Sequence, residues 1–168
     1  MMMPTPQPVH FIDFEASGFH PESYPIAVAI CDCAGHFTAL IHPMPYWTYW
    51  SYDAQDMHGI TREQLMAEGA APHELAIRLN QQYHGKTLCS SNPVDAFWLD
   101  MLFEAAGVEA QFELKPIEAW IGPDASAEVL RLMPSYSAHN ALSDAKALEQ
   151  AYATWRLANA LNTGNGGT

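Results

Sequence analysis

The hydrophobic pattern of the first forty residues is typical of β-strands. Residues 9–14 and 25–33 are short runs rich in β-branched and small apolar side chains, which favours two strands. The pair Ala34 and Gly35 is a tight-turn signal, so residues 36–42 are predicted to form a third strand that pairs with the second. The chain is therefore expected to begin with part of a sheet.

Further along, apolar residues recur at helical spacing and predict helices. The predicted helices cover residues 61–67, 72–83, 93–106 and 140–160, with a mostly helical region at 116–132. Two more strands are predicted between them, "KTLCSS" at 86–91 and a short one near 112–114. This order predicts an α/β sandwich around a mixed sheet.

The length and composition predict one globular domain. The chain has 168 residues, of which 49% are hydrophobic and 15% charged. We expect residues 1–161 to form the domain and residues 162–168, "NTGNGGT", to be a disordered tail. No apolar run approaches the ~20 residues that cross a bilayer, and the first residues do not resemble a signal peptide. The sequence therefore predicts a cytoplasmic protein that does not bind membranes.

The charge balance restricts the kind of nucleic acid that the protein could bind. Seven Lys and Arg stand against nineteen Asp and Glu, and the formal net charge is −12. Binding of a long duplex normally requires a basic patch, because phosphates are neutralised by Lys and Arg. The basic residues here are scattered, which disfavours such binding. A protein that holds a chain end or a short oligomer, with metal ions supplying positive charge, is still compatible with this composition.

The first candidate for chemistry is the stretch "HFIDFEASGF". Asp13 and Glu15 are separated by one residue, so on a strand both carboxylates would point to the same side. Burying two unpaired carboxylates together is costly. Two interpretations follow: a solvated strand end, or a site for a cation.

Three further residues could join this pair. Asp95 and Asp144 each fall in the first turn of a predicted helix, and His139 precedes the second of these helices. Each Asp alone is explained by the helix dipole. Together, four carboxylates at one sheet edge could hold two divalent cations about 4 Å apart, as in phosphodiester hydrolysis. Oxygen ligands favour Mg²⁺ or Mn²⁺, and a histidine suits deprotonation of the attacking water.

The segments "FIDFEASGF", "SNPVDAFWL" and "HNALSDA" resemble, in order and spacing, the three motifs of the DEDDh 3′–5′ exonucleases. "DAQDMHGITREQL" is also similar to the loop before the first helix of that family, and the resemblance covers residues 9–157. It implies a ribonuclease H-like fold, with a five-stranded mixed sheet whose first three strands are antiparallel, flanked by α-helices. It also implies release of nucleoside 5′-monophosphates from the 3′ end of single-stranded or short RNA or DNA.

The resemblance implies a role for each candidate residue. Asp13 would bridge two Mg²⁺ or Mn²⁺ ions. Glu15 and Asp144 would ligate the ion on the nucleophile side, Asp95 would ligate the other, and His139 would be the general base. The implied substrate-binding residues are Phe14, Ser17, Gly18, Trp47, Trp50, His58 and Asn92.

Two pairs depart from the family pattern, and both leave the fit of the terminal sugar and base open. Ala16 and Ser17 stand where many members have two threonines, and Ser91 and Asn92 stand where His-Asn is frequent. Neither departure removes a metal ligand.

The segment "YWTYWSY" at 46–52 has two interpretations. Its rings could stack on the bases of a single strand, or they could cover the sheet edge or form an interface such as a homodimer contact. The function also has an alternative: a non-catalytic nucleic-acid-binding or polymerase-associated module that retains the fold. The retained reactive groups favour the enzyme, and the choice between RNA and DNA stays open.

Overall fold

The computed structural model describes residues 9–135 and 138–163, which are built around a five-stranded sheet. Its strands are β1 His10–Ala16, β2 Pro25–Asp32, β3 Gly35–Leu40, β4 Thr87–Ser90 and β5 Glu113–Pro116. Their order across the sheet is β3-β2-β1-β4-β5. The pairs β1–β2 and β2–β3 are antiparallel, whereas β1–β4 and β4–β5 are parallel. The predicted mixed sheet, with its first three strands antiparallel, is confirmed.

Seven helices flank the sheet in the described residues. They are α1 Tyr52–His58, α2 Arg62–Glu68, α3 Pro72–Tyr83, α4 Val94–Ala106, α5 Ile117–Ile121, α6 Pro123–Arg131 and α7 Ala141–Thr163. None of them is long and apolar enough to span a bilayer. Helix α7 runs into the segment predicted as a tail, and the rest of that tail, 164–168, lies outside the described residues.

Helix α1 was not predicted, because the aromatic segment before it was interpreted as a loop that continued to the next helix. It begins where the Ser51 hydroxyl accepts the backbone N–H of Ala54, at 3.1 Å. It ends at Gly59, whose φ of 73° is a left-handed conformation that glycine adopts at little cost. Both signals are short and local, and they place His58 at the end of the helix.

The two faces of the sheet are covered by different helices. Ile12 and Phe14 of β1 pack in the larger core, which includes the apolar side chains of α3 and α4. Phe11 packs in a second core with Leu148 of α7. Side chains alternate along a strand, so Asp13 and Glu15 share the face of Phe11 and point towards α7.

The pairing of β1 with its two neighbours is unequal in length. Strand β2 pairs with β1 from Phe11 to Ala16, whereas β4 pairs with it only at His10 and Phe11. The stretch that carries Asp13 and Glu15 therefore extends past the end of β4. This end of β1 is the carboxyl edge of the parallel strands, where ligands bind in α/β sheets.

Residue 69 must be small because a Cβ there would clash with neighbouring backbone, whereas its own backbone conformation does not require glycine. Its neighbour Ala70 exchanges backbone hydrogen bonds with the strand end at Leu40 and His42, at 2.8 and 2.9 Å. A Cβ on Gly69 would stand 2.5 Å from the His42 nitrogen. We expect Gly69→Ala to lower the free energy of unfolding by ~1–3 kcal/mol, because the backbone must shift. Urea denaturation would measure this.

The matched control is Gly35→Ala, because a Cβ there meets nothing within 4 Å. Its effect on the free energy of unfolding should stay within about 0.5 kcal/mol. Equal losses in the two variants would show that the contact of residue 69 with the strand end is not tight.

Candidate active site

Asp13 and Glu15 lie on the same face of β1, opposite two small residues of the neighbouring strand. Their partners across β2 are Ala29 and Ala27, whose methyl groups share the face of the two acids. Larger side chains at these positions would fill the space beside the carboxylates. The two alanines were not identified from the sequence, although "PIAVAI" contains the signal: small residues at alternate positions of a strand.

Asp144 reaches the same place from the first turn of α7. The helix begins at Asn140, whose side-chain oxygen accepts the N–H of Ser143 at 3.0 Å. One carboxylate oxygen of Asp144 accepts the N–H of Ala138 at 3.0 Å, which fixes the carboxylate against the preceding loop. Asp13, Glu15 and Asp144 can each offer a carboxylate oxygen such that all three lie within 4.8 Å of one another.

Asp95 joins this trio from α4 and is only 2% exposed. The helix begins after Asn92, whose side-chain oxygen accepts the N–H of Val94 at 3.0 Å. The carboxyl group of Asp95 lies close enough to that of Asp13 for the two charges to interact, so the first turn of α4 faces β1 at this point. Within the described residues, the Oδ2 atom of Asp95 is buried without a hydrogen-bond partner.

Burial and the neighbouring negative charges raise the pKa values of Asp13, Glu15 and Asp95. Burial, and then the charges of Asp95 and Glu15, raise the pKa of Asp13 far above its ordinary range. Burial, followed by the nearby Asp144, raises the pKa of Glu15 to about 7. Burial also raises the pKa of Asp95. Such a cluster is stable either with bound protons or with a cation that offsets the charge.

The residues fit a hard divalent cation. The trio supplies only oxygen ligands, which suit Mg²⁺ or Mn²⁺ better than soft metals. The unpartnered oxygen of Asp95 is a further potential ligand, since a buried carboxylate oxygen is costly without a donor or a cation beside it. Asp95 is not part of the trio at 4.8 Å, so it lies beside the group of three rather than within it.

The structure brings two histidines together at this edge. His139 precedes α7 with a φ of 52°, a left-handed conformation that is uncommon outside glycine. His58, at the end of α1, lies near enough that the charge of His139 adds to burial in lowering the pKa of His58. The Nδ1 atom of His58 accepts the N–H of Ile60 at 3.0 Å, so neutral His58 carries its proton on Nε2.

Three of the residues implied to bind substrate are buried or closely packed. The Ser17 side chain is 0% exposed, and its hydroxyl accepts the N–H of Tyr24 at 3.1 Å. The Phe14 ring is in the larger core. A Cβ on Gly18 would lie 2.9 Å from the Tyr49 ring, so glycine allows the aromatic segment to approach. Phe14 and Ser17 pack beneath the site, and the Ser17 hydroxyl is not exposed at the protein surface.

The two tryptophans have different environments. Trp47 is 4% exposed and stacks on Tyr24, with ring centroids 5.5 Å apart. Its carbonyl oxygen accepts a hydrogen bond from Arg62 at 2.9 Å, so Trp47 belongs to the core. Trp50 is half-buried and lies edge-on to His58 at 6.0 Å. Of the two rings, only Trp50 lies beside the histidine pair.

The strand order, the antiparallel first three strands and the helices on both faces define a ribonuclease H-like fold, as the motif resemblance implied. No protein-family model and no curated protein matches the chain. Solved structures do match it, and structures of exonuclease I are among them. E. coli exonuclease I in complex with a dA16 oligonucleotide matches 83% of this chain with a TM-score of 0.63 and 16% identity.

Two further structures give the same result. The zinc-bound form of the E. coli exonuclease I complex with single-stranded DNA matches 94% of this chain, with a TM-score of 0.63 and 17% identity. A moderately thermophilic exonuclease I from Methylocaldum szegediense matches 83%, with a TM-score of 0.57 and 16% identity. The chain spans only 38% to 41% of the length of these proteins. At this level of identity the similarity establishes the fold.

Proposed function

We propose that this protein is a metal-dependent 3′–5′ exonuclease that releases nucleoside 5′-monophosphates from single-stranded or short nucleic acid. The observation that carries the proposal is the convergence of Asp13, Glu15 and Asp144 within 4.8 Å, at the carboxyl edge of the sheet. The raised pKa values of Asp13 and Glu15 are the expected cost of holding carboxylates together for a cation. The DEDDh motif pattern and the exonuclease I fold support the same reaction.

The carboxylates would hold two Mg²⁺ or Mn²⁺ ions. Asp13 would contact both ions, with Glu15 and Asp144 on one side and Asp95 on the other. When bound, the ions supply positive charge to the attacking water and to the oxygen that leaves. The hydrogen bond from the N–H of Ala138 would keep the Asp144 carboxylate in place before the metal arrives.

His139 would act as the general base. An imidazole nitrogen accepts a proton from the water that attacks the phosphorus of the last phosphodiester. The bond from phosphorus to the 3′ oxygen of the preceding nucleotide breaks, and a nucleoside 5′-monophosphate is released. His58 lies near enough to His139 for their charges to interact, and Trp50 lies edge-on to His58. Both would contact the terminal nucleotide. Asn92, which is exposed at the start of α4, would contact the same end of the strand.

The substrate would be a single strand or a short oligomer. The E. coli neighbours contain single-stranded DNA, and the net charge of −12 disfavours a long duplex. The test is a degradation ladder on 5′-labelled single-stranded DNA and RNA with Mg²⁺, with Mn²⁺ or with EDTA. We expect metal-dependent products that shorten from the 3′ end, and the sugar preference follows from the two ladders. Oligonucleotide binding without cleavage in either metal would favour the non-catalytic module instead.

His139→Gln is expected to lower the cleavage rate by about 10²–10⁴-fold, because the water loses its proton acceptor. Glutamine keeps a polar side chain without the basicity of imidazole. Metal binding should persist, so the rise in melting temperature on adding Mn²⁺ should match that of the wild type. Single-turnover cleavage and thermal melts would measure the two effects.

The control for this prediction is His84→Gln, an exposed histidine at the end of α3. It should leave both rate and metal response unchanged. A His139 variant with the wild-type rate at all pH values would rule out this base.

A further inference from the structure

A groove of about 370 Å³ lies between the aromatic segment, residues 46–49, and helix α4. Met101, Glu104 and Ala105 form its wall on the helix. Their spacing places them on one side of α4, roughly 9–15 Å along the helix axis from Asp95. The groove is therefore separate from the acidic cluster, and the proposed hydrolysis gives it no role.

The opposite wall of the groove is aromatic. Tyr46 is 65% exposed, and its ring stands nearly perpendicular to that of Trp47, with the centroids 6.2 Å apart. Tyr49 is half-buried and stacks on His20 at 4.4 Å, which covers one face of its ring. Trp47 is in the core and forms the floor. An open tyrosine ring presents a negative face that attracts cations.

The rim of the groove carries negative charge without a neutralising partner. Glu22 and Glu104 both line the groove and are exposed. No Lys or Arg is among the lining residues, and within residues 9–135 and 138–163 neither carboxylate forms an ion pair. Three of the arginines lie instead over rings elsewhere: Arg62 over Tyr24, Arg78 over Phe37 and Arg156 over Tyr152.

We propose that this groove binds an arginine or lysine side chain of a partner polypeptide, held between Glu22 and Glu104 and against the ring of Tyr46. Charge complementarity identifies the occupant, because two carboxylates attract a cation and repel the phosphates of a nucleic acid. Met101 supplies an apolar surface for the aliphatic stem of the same side chain. Residues 46–49 thus form a protein interaction surface, whereas Trp50, further along the aromatic segment, keeps its proposed contact with the terminal nucleotide. This inference does not depend on the proposed exonuclease activity.

The test is an NMR titration of the ¹⁵N-labelled full chain in EDTA. The probe is an acetylated, amidated pentapeptide with one central arginine and glycine at the other positions. The control is the same peptide with citrulline in place of the arginine. Citrulline has the shape of arginine without the charge. We expect the arginine peptide to shift the amides of residues 46–49 and 101–105, and the citrulline peptide to bind at least fivefold more weakly.

The variant for this test is the double substitution Glu22→Gln with Glu104→Gln, and its matched control is Glu63→Gln with Glu118→Gln. All four residues are exposed, and both pairs change the net charge equally. Only the groove pair should weaken arginine binding, by fivefold or more. Tyr46→Ala should weaken it as well, because the open ring is removed.

Three outcomes would overturn the proposal. The first is equal binding of the two peptides, and the second is equal weakening by the two double variants. The third is an absence of groove shifts at millimolar peptide, including the case in which a short oligothymidine shifts residues 46–49 instead. That last result would make the segment a nucleic-acid surface. A failure of cleavage alone would leave the peptide result unaffected, so the two proposals are tested separately.

Discussion

Replacing Asp13 with asparagine is expected to lower metal-dependent cleavage by about 10³-fold or more, which corresponds to about 4 kcal/mol of transition-state stabilisation. Asp13 is the proposed ligand shared by both ions. The same change should raise the melting temperature of the metal-free protein. The raised pKa of Asp13 means that folding must either place a proton on this carboxyl group or hold a charge that Asp95, Glu15 and Asp144 repel, and asparagine requires neither. If the variant loses activity while its stability rises, the loss of activity is not caused by misfolding.

The control for this variant is Asp124→Asn. Asp124 is an exposed acid in the first turn of α6. It should change neither cleavage nor the melting temperature beyond about 0.5 kcal/mol of unfolding free energy. If Asp13→Asn kept full activity, or if it lost activity and stability together, the shared-ligand role of Asp13 would be wrong.

The second large effect is a stabilisation by Mg²⁺ or Mn²⁺ that increases with pH. The pKa of Glu15 is raised from 4.5 to about 7 in the folded protein, so the folded state binds more protons than the unfolded state in this range. Metal-free stability therefore falls as pH rises from about 4.5 to about 7. Glu15 contributes on the order of 1–2 kcal/mol to this fall in the free energy of unfolding, after allowance for solvent screening.

Metal ions bind the ionised carboxylates, so they should restore this lost stability. At pH 8, metal at a hundred times its Kd should stabilise the protein by about 2.7 kcal/mol, which is several degrees of melting temperature. At pH 5.5 the gain should be much smaller, since the carboxyl groups hold protons. Thermal melts at both pH values, with NaCl of equal ionic strength as the control, would measure this. A shift that is independent of pH, or one that persists in Asp144→Asn, would contradict the site.

Most of the regular structure was accessible from the sequence. Helix α3 has its predicted bounds, Pro72–Tyr83, because a proline marks its first turn and apolar residues recur at helical spacing. Strand β2 was recognised as a buried apolar run. Helix α1 was missed because only the Ser51 cap marks its start within a stretch dominated by prolines and aromatic rings. The predicted boundary of the domain at residue 161 stays a prediction.

The acidic residues of the candidate site could be predicted from the sequence, but the environment of the residues around them could not. Strand alternation and the motif spacing pointed to Asp13, Glu15 and Asp144, and the structure places them together. The aromatic segment lacks periodicity, so nothing in the sequence distinguished Trp47, which is in the core, from Tyr46, which is exposed. The hydrogen bond of the Ser17 hydroxyl to Tyr24 joins residues on the two sides of a turn, and motif spacing does not report such contacts.

The unequal pairing of β1 has a consequence for how the protein is made. Its acid-bearing half gains its remaining partners from the starts of α4 and α7, both of which follow the first strands in the sequence. During synthesis, the first strands can pair on the ribosome long before Asp144 emerges. The acid cluster can therefore come together only after α7 has been made, whereas the sheet that carries Asp13 and Glu15 can form earlier.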